Sequence, residues 1–363
     1  MGLCSCSLVP TTSPSIASLP EVNVVLWHWP AGDSVNALVT GAGGFLGQYI
    51  VEQLVARGDK VRALCRGSCP ALDALGVETV RGDLADRDAT RAACRGVDVV
   101  FHVAGKTGIW GAWSDYHRVN VVGTRYVVEG CIAHGVRRLV YTSTPSVTFD
   151  AGDQEGVDES VPYPKRWLCH YPHSKALAEQ HVLAASGAGG LLTCALRPHL
   201  IWGPRDQHLI PRLIARARSG GLSRVGNGAN RIDVIYVENA AEAHLLAADA
   251  LCPGSPVAGR PYFLSQGEPV NCWEWLGQVL SLAGLPPVRR SISFSAAWAL
   301  GAALEAVYRL LRIKSEPPMT RFLAAQLAKS HYYNIARARN DFGYQARIST
   351  AEGMKRLAAD LAR

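Results

Sequence analysis

Tyr171 and Lys175, in the stretch YPHSK, put a phenol and an amine four residues apart, just after a loop that holds Pro162 and Pro164. On a helix, positions i and i+4 share one face, so the two groups can act on one small volume. The same pair also occurs on ordinary helix surfaces, so the residues around it must decide what it does. Upstream, VTGAGGFLG (residues 39–47) spaces Gly41, Gly44 and Gly47 three apart. An apolar run enters this stretch and a helical pattern leaves it, which is the context that predicts a dinucleotide-binding turn. Gly41 permits the tight turn, Gly44 lets the backbone approach a pyrophosphate, and Gly47 lets the helix pack close to the strand. The helix N-terminus then offers free N–H groups to the anion.

The next apolar run carries cofactor selectivity. An NAD-selective site places an acid there for the ribose 2′-hydroxyl, whereas a 2′-phosphate favours arginine. This run ends RALCRG, with Cys65 where the acid would stand, Arg66 next and Arg62 nearby, which predicts NADP(H). Asp83, in RGDLAD, is placed to bind the adenine amino group, although a plain helix cap would read the same way.

The elements that must position these residues follow from periodicity. NALVTG, KVRALCR, VETVRGD, VDVVFHVAG, RRLVYTS and LLTCALRP read as short buried strands, with helical segments such as 45–57 and 117–134 between them. That alternation predicts the α/β class, a Rossmann-type doubly wound parallel sheet covered on both faces. After Pro198 it loosens into a basic helix at 208–219, a strand in DVIYV, a helix in NAAEAHLLAADAL and mainly helix from Asn271. The expected organisation is a nucleotide-binding domain over 35–198 and 231–265 and a smaller, mainly helical substrate lobe over 199–230 and 266–363. Residues 1–34 lack the basic start and long apolar core of a secretory signal, and Cys6 stands where N-myristoylation wants Ser or Thr. They are expected to be a disordered leader or a start assigned too far upstream.

One late segment, FSAAWALGAALEAVYRLLRI, is free of charge only over 294–304, short of the roughly 18 residues a spanning helix needs. Leu300, Leu304, Val307 and Leu311 form one stripe and Glu305, Arg309 and Arg312 another. This predicts core packing or a lid over a greasy pocket, with interfacial membrane contact left open.

Composition excludes several classes. The net charge of +7 comes from scattered residues with no Lys/Arg run of five, so a nucleic-acid partner is not expected. The excess between Arg205 and Arg231 reads either as a solvated helix surface or as a carboxylate or phosphate site. Ten cysteines without a C-x-x-C pair read as small apolar residues in a reducing cytoplasm, with neither a metal site nor a disulfide framework.

Together with the strand that ends in VYTSTPS, the glycine turn and YPHSK resemble the extended short-chain dehydrogenase/reductase family over residues 36–350, as do DVVFHVAG, NVVGT, LRPHLIWGP and IDVIYVENAAEAHLLA. The resemblance implies hydride transfer between a nicotinamide and a carbonyl or alcohol carbon. It makes Tyr171 the general acid for ketone reduction, and makes Lys175 the cation that lowers the phenol pKa from ~10 and binds the nicotinamide ribose. It also implies a hydroxyl on the substrate oxygen, from Thr144 or the adjacent Ser143. Phe45, Leu46, Leu84, Ala104, Pro198 and Leu200 would line the cofactor.

Within that family, VYTSTPSV and YVENAAEAHLLA resemble the 3β-hydroxysteroid dehydrogenase-like group. AGKTGIWGAWSDYHRVNVVGT and NIARARNDFGY are similar to the bacterial ketoreductases of long-chain olefin formation, which reduce 2-alkyl-3-keto acids with NADPH. That likeness implies a long apolar cleft lined by Trp110, Trp113, Ile201, Trp202 and the 294–311 helix, with Lys106 or one of the arginines meeting the carboxylate. A sterol-oxidising dehydrogenase and a non-catalytic NADP-binding regulator of the same fold are the alternatives. A homodimer through two helices of the sheet domain, association with other olefin-pathway enzymes and peripheral membrane contact are left open.

Overall fold

The computed structural model describes residues 34–363, so the expectation for the leader falls outside the described residues except at its last position. Seven apolar runs form one sheet: β1 (Asn36–Thr40), β2 (Lys60–Cys65), β3 (Glu78–Arg81), β4 (Val99–His102), β5 (Arg138–Thr142), β6 (Leu192–Pro198) and β7 (Arg260–Leu264). Their order is β7-β6-β5-β4-β1-β2-β3, and every neighbouring pair is parallel. Six of them are the predicted strands. The seventh, RPYFL, carries Pro261, which a strand tolerates at a sheet edge, and β7 is an edge strand. The order reverses between β1 and β4, which opens a crevice at the carboxyl ends of these strands.

Helices α1 (Phe45–Arg57), α2 (Gly123–Ala133), α3 (His170–Ala184) and α4 (Val237–Ala250) cover the two faces. Side chains alternate along each strand, so Ala37 and Val39 of β1 pack with Ile50 of α1 and Ala240 of α4, while Leu38 packs with Val127 of α2 and Val182 of α3. The helix predicted over 117–134 starts irregularly, because His117–Val122 form a π-helical turn before α2.

The lobe has its own core, where Trp202, Tyr236 and Trp275 meet between the helices Leu209–Arg218 and Cys272–Leu282. A small sheet ties this lobe to the loop after β5, its strands being Val270–Asn271, Arg231–Ile232, His331–Tyr333 and Gln154–Val157. Beside it, α5 (Phe294–Leu310) packs on α6 (Arg321–Ala328).

The polarity of α5 is the reverse of the expected one. Its buried residues are Ala297, Gly301 and Glu305, while Leu300, Val307, Leu310 and the following Leu311 are exposed. Two local features cause this. The Glu305 carboxylate accepts from the backbone N–H of Arg321 at 2.8 Å and pairs with the guanidiniums of Arg321 and Arg309. Gly301 has no side chain, so the helix lies against the chain at Thr320, whose carbonyl carbon would be 2.6 Å from a Cβ there. Phe294 and Trp298 of this helix join an apolar cluster with Phe149 and Phe322, and Ala297 joins another with Val225 and Ala324.

Candidate active site

Tyr171 and Lys175 lie in the first turns of α3, which begins after the extended Cys169 and tolerates Pro172 because the first-turn N–H groups have no intrahelical acceptor. The Thr144 hydroxyl stands next to the Tyr171 phenol and favours its ionised form. Thr144 itself caps a short 3₁₀ turn, Pro145–Thr148, accepting from the Ser146 N–H, and its Oγ1 lies 2.8 Å from the Ser146 hydroxyl. Ser143 donates its backbone N–H to Leu196 at 2.6 Å, but its hydroxyl is buried without a partner among the described residues. Of the two candidate hydroxyls, Thr144 is therefore the one at the phenol.

Burial pushes the Tyr171 phenol up to about 12, with the Thr144 hydrogen bond opposing. Burial also lowers Lys175 to about 7, with Glu179 one turn on opposing. The expected lowering of the phenol by Lys175 is not found. The Lys175 ammonium is turned toward β5, where Nζ donates to the Thr142 carbonyl at 2.6 Å and lies 4.1 Å from the Tyr141 ring centre.

Asn120, inside the π-helical turn, organises this corner and was not singled out from the sequence. Its Nδ2 donates to Ser174 at 2.9 Å and to the Lys106 carbonyl at 3.0 Å, while its Oδ1 accepts from the Lys106 N–H. Ser174 in turn donates to the Tyr171 carbonyl. The signal was present in NVVGT, and π-helical turns recur at functional sites.

The glycine turn has the expected geometry. Gly41 adopts φ 71° with Ala104 pressed against it, where a Cβ would come within 2.8 Å of the Ala104 backbone. A Cβ on Gly47 would strike the Gly41 carbonyl oxygen. Gly44 is the extended N-cap of α1 and places no side chain over the first-turn N–H groups, and Leu46 is buried beneath them with Phe45 partly accessible. Ala104 donates its N–H to Thr40, and Leu84 packs against Gly123 of α2.

At the end of β2, Cys65 is buried and Arg66 is exposed. Arg81, unnoticed in the sequence, ends β3 beside it and donates Nε to the Arg66 carbonyl at 3.3 Å. Arg62 is committed elsewhere, to the Ala93 and Arg95 carbonyls and to Glu78. Asp83 accepts from the Ala85 N–H and pairs with Arg118 at 3.2 Å; both contacts hold its carboxyl below the usual range. Pro198 ends β6, and Leu200 takes the left-handed φ of 46° just beyond.

The candidate substrate residues divide. Trp113 stacks on His173 at 4.7 Å and also meets His170, next to Tyr171. Trp110 donates its indole N–H to the Ile313 carbonyl and packs edge-on to Tyr308 of α5. Lys106 lies 3.8 Å from Asp115 and over the Tyr116 ring. Trp202 is not in the cleft: its short strand turns it into the lobe core, fully buried against Tyr236 and Trp275, while Ile201 packs on the sheet core. The arginines take the solvated-surface reading, with Arg205 held by Glu52, and Arg212 and Arg216 by Glu316. An apolar cluster that includes Leu168 and Cys169, just before Tyr171 in the chain, gathers Ile109, Phe294 and Trp298 around Phe149 and Phe322.

This constellation sits on a sequence that matches the 3-beta hydroxysteroid dehydrogenase/isomerase family over residues 38–294. The chain belongs to that family. A 2-alkyl-3-oxoalkanoate reductase of Stenotrophomonas maltophilia is 51% identical over 331 residues, spanning 90% of this chain and all of the relative. The human decarboxylating sterol-4-alpha-carboxylate 3-dehydrogenase is 34% identical, over 93% of this chain and 91% of its own. Among solved structures, MoeE5 in complex with UDP-glucose and NAD superposes with a TM-score of 0.69 at 27% identity, covering 90% of this chain and 99% of that one. As a member of this family the protein is an oxidoreductase acting with a nicotinamide cofactor, built as an extended short-chain dehydrogenase/reductase.

Proposed function

We propose that this protein reduces the 3-keto group of a long-chain 2-alkyl-3-keto acid to the 2-alkyl-3-hydroxy acid, using NADPH, in the formation of long-chain olefins. The observation that carries the reading is the half-buried Tyr171 phenol, a proton donor at neutral pH, set beside the Thr144 hydroxyl just after β5. The full-length likeness to a 2-alkyl-3-oxoalkanoate reductase supports the substrate class.

The nucleotide cradle fits the cofactor. Gly44 leaves the α1 N-terminus open to a pyrophosphate, no acid stands at the end of β2, and Arg66 with Arg81 offers two guanidiniums for a 2′-phosphate. Asp83 and Leu84 would hold the adenine, and Ala104, Pro198 and Leu200 the remainder. We assign residues 35–198 and 231–265 to this role and the rest of the described chain to the substrate. When bound, NADPH supplies a hydride to the carbonyl carbon.

The chain's own residues handle the oxygen. Thr144 and Tyr171 donate hydrogen bonds to the ketone oxygen, polarising it. As the C–H bond forms and the C=O π bond opens, Tyr171 gives its proton to that oxygen, completing the alcohol. Lys175 and the Asn120–Ser174 link hold the start of α3 so that the phenol keeps its place, while Trp110, Trp113 and the Phe149–Phe322 cluster exclude water from the alkyl chains.

The test runs in the oxidative direction, because 3-keto acids lose CO₂ readily. Purified protein is offered a 2-alkyl-3-hydroxyalkanoic acid with NADP⁺ and, in parallel, a 3β-hydroxysteroid with NADP⁺ or NAD⁺. Turnover of the branched hydroxy acid with NADP⁺ is expected. Turnover of the steroid alone, with NAD⁺, would replace this reading with the sterol one.

A further inference from the structure

Six large apolar side chains are exposed among the described residues, and four stand on or just after α5: Leu300 at 45%, Val307 at 45%, Leu310 at 82% and Leu311 at 63%. Ala296, Ala299, Ala303 and Ala306 lie exposed between them at the same helical spacing. The result is a stripe without a single polar side chain along the whole helix, roughly 25 Å long. Stripes of this kind on a monomer surface mark a docking face.

Charge indicates what docks. Arg312 and Lys314, both exposed, follow the C-terminal end of the stripe. The nearby acids are already used, Glu305 by Arg309 and Arg321, and Glu316 by Arg212 and Arg216. A second copy of the same face would bring no acid to these cations, whereas anionic headgroups would. Trp110 and Tyr308 stand at this end too, with Arg309 5.6 Å from the Trp110 ring centre. Leucine, interfacial aromatics and basic side chains together are the composition of a helix lying in a bilayer interface. No helix among the described residues is long and apolar enough to cross a membrane.

We propose that the outer face of α5 docks on an anionic phospholipid bilayer, with the helix in the membrane plane and its C-terminal cations among the headgroups. Docking stands on the helix alone. That the bilayer also passes the two-chain acid to the Phe149–Phe322 cluster, through the Trp110 end, rests on the function proposed above.

Sedimentation of the full chain with vesicles of phosphatidylcholine plus phosphatidylglycerol, and of phosphatidylcholine alone, tests it. The wild type is expected to pellet with the anionic vesicles. Leu310→Glu/Leu311→Glu and Arg312→Glu/Lys314→Glu are each expected to lose at least about tenfold in partitioning. Both pairs face solvent, so an unchanged Tm and unchanged turnover of a short, water-soluble substrate are expected alongside. Absence of wild-type pelleting, equal pelleting of the variants, or a dimer that the leucine variant dissociates while neither protein binds vesicles would each overturn the proposal. Failure of the substrate reading would leave the pelleting in place.

Discussion

The start of α3 and the outer face of α5 treat water in opposite ways. Around Tyr171, most polar groups are drawn onto partners, the phenol beside Thr144, the Lys175 ammonium at the Thr142 carbonyl and Ser174 at Asn120, while the Ser143 hydroxyl is left without one among the described residues. Along α5, leucines face solvent and the one carboxylate goes inward to Arg321. Buried polar groups are costly unless met, so the first arrangement depends on these partners staying in place. The second leaves apolar area uncovered, which is stable enough for a folded protein and becomes useful when a surface arrives to cover it.

Substitutions can break or sharpen this contrast. Thr144→Val removes the hydroxyl that meets the phenol and is expected to lower kcat by roughly 10²-fold, whereas Ser143→Ala, one residue away, leaves it nearly unchanged; steady-state kinetics on both variants decides. Glu305→Ala is expected to cost about 2 kcal/mol in urea unfolding. That is less than a fully buried pair loses, because Arg309 and Arg321 keep part of their hydration. Arg66→Ala and Arg81→Ala should each weaken NADPH binding by about tenfold in fluorescence titration, with Arg62→Ala close to wild type.

A pH-dependent effect is expected from Lys175. Its pKa in the folded chain, about 7, lies below the ordinary 10.5, so between those values the unfolded chain holds a proton that the folded chain lacks. Stability therefore rises with pH across that window, and Lys175→Met is expected to flatten the rise in unfolding curves of the cofactor-free protein. Smallest of all, Leu310→Ala should leave Tm within error, since its side chain is already mostly in water.

The contrast also explains what was legible in the sequence. Strands β1 to β6, the glycine turn and the Tyr171–Lys175 pair are encoded by neighbours within a few residues, through periodicity, φ requirements and i,i+4 spacing. The inversion of α5 is not, because it depends on Arg321, 16 residues on, and on Gly301 fitting against Thr320. Trp202 was misplaced for the same reason: its two-residue strand gives no period, and only the fold shows which core it enters. Arg81 and Arg62 have the same side chain, and which one stands beside Arg66 depends on the pairing of β2 with β3. The direction of Lys175 was likewise beyond local reading, since the Thr142 carbonyl that holds it belongs to another strand.

The central claim is that the Tyr171 phenol delivers the proton to the reduced oxygen. The most direct measurement is single-turnover reduction by Tyr171→Phe, with NADPH binding followed in the same samples. The account predicts that NADPH binds as to the wild type while reduction slows by roughly 10²-fold or more. Reduction at the wild-type rate with cofactor bound would contradict it and move the proton donor to another group.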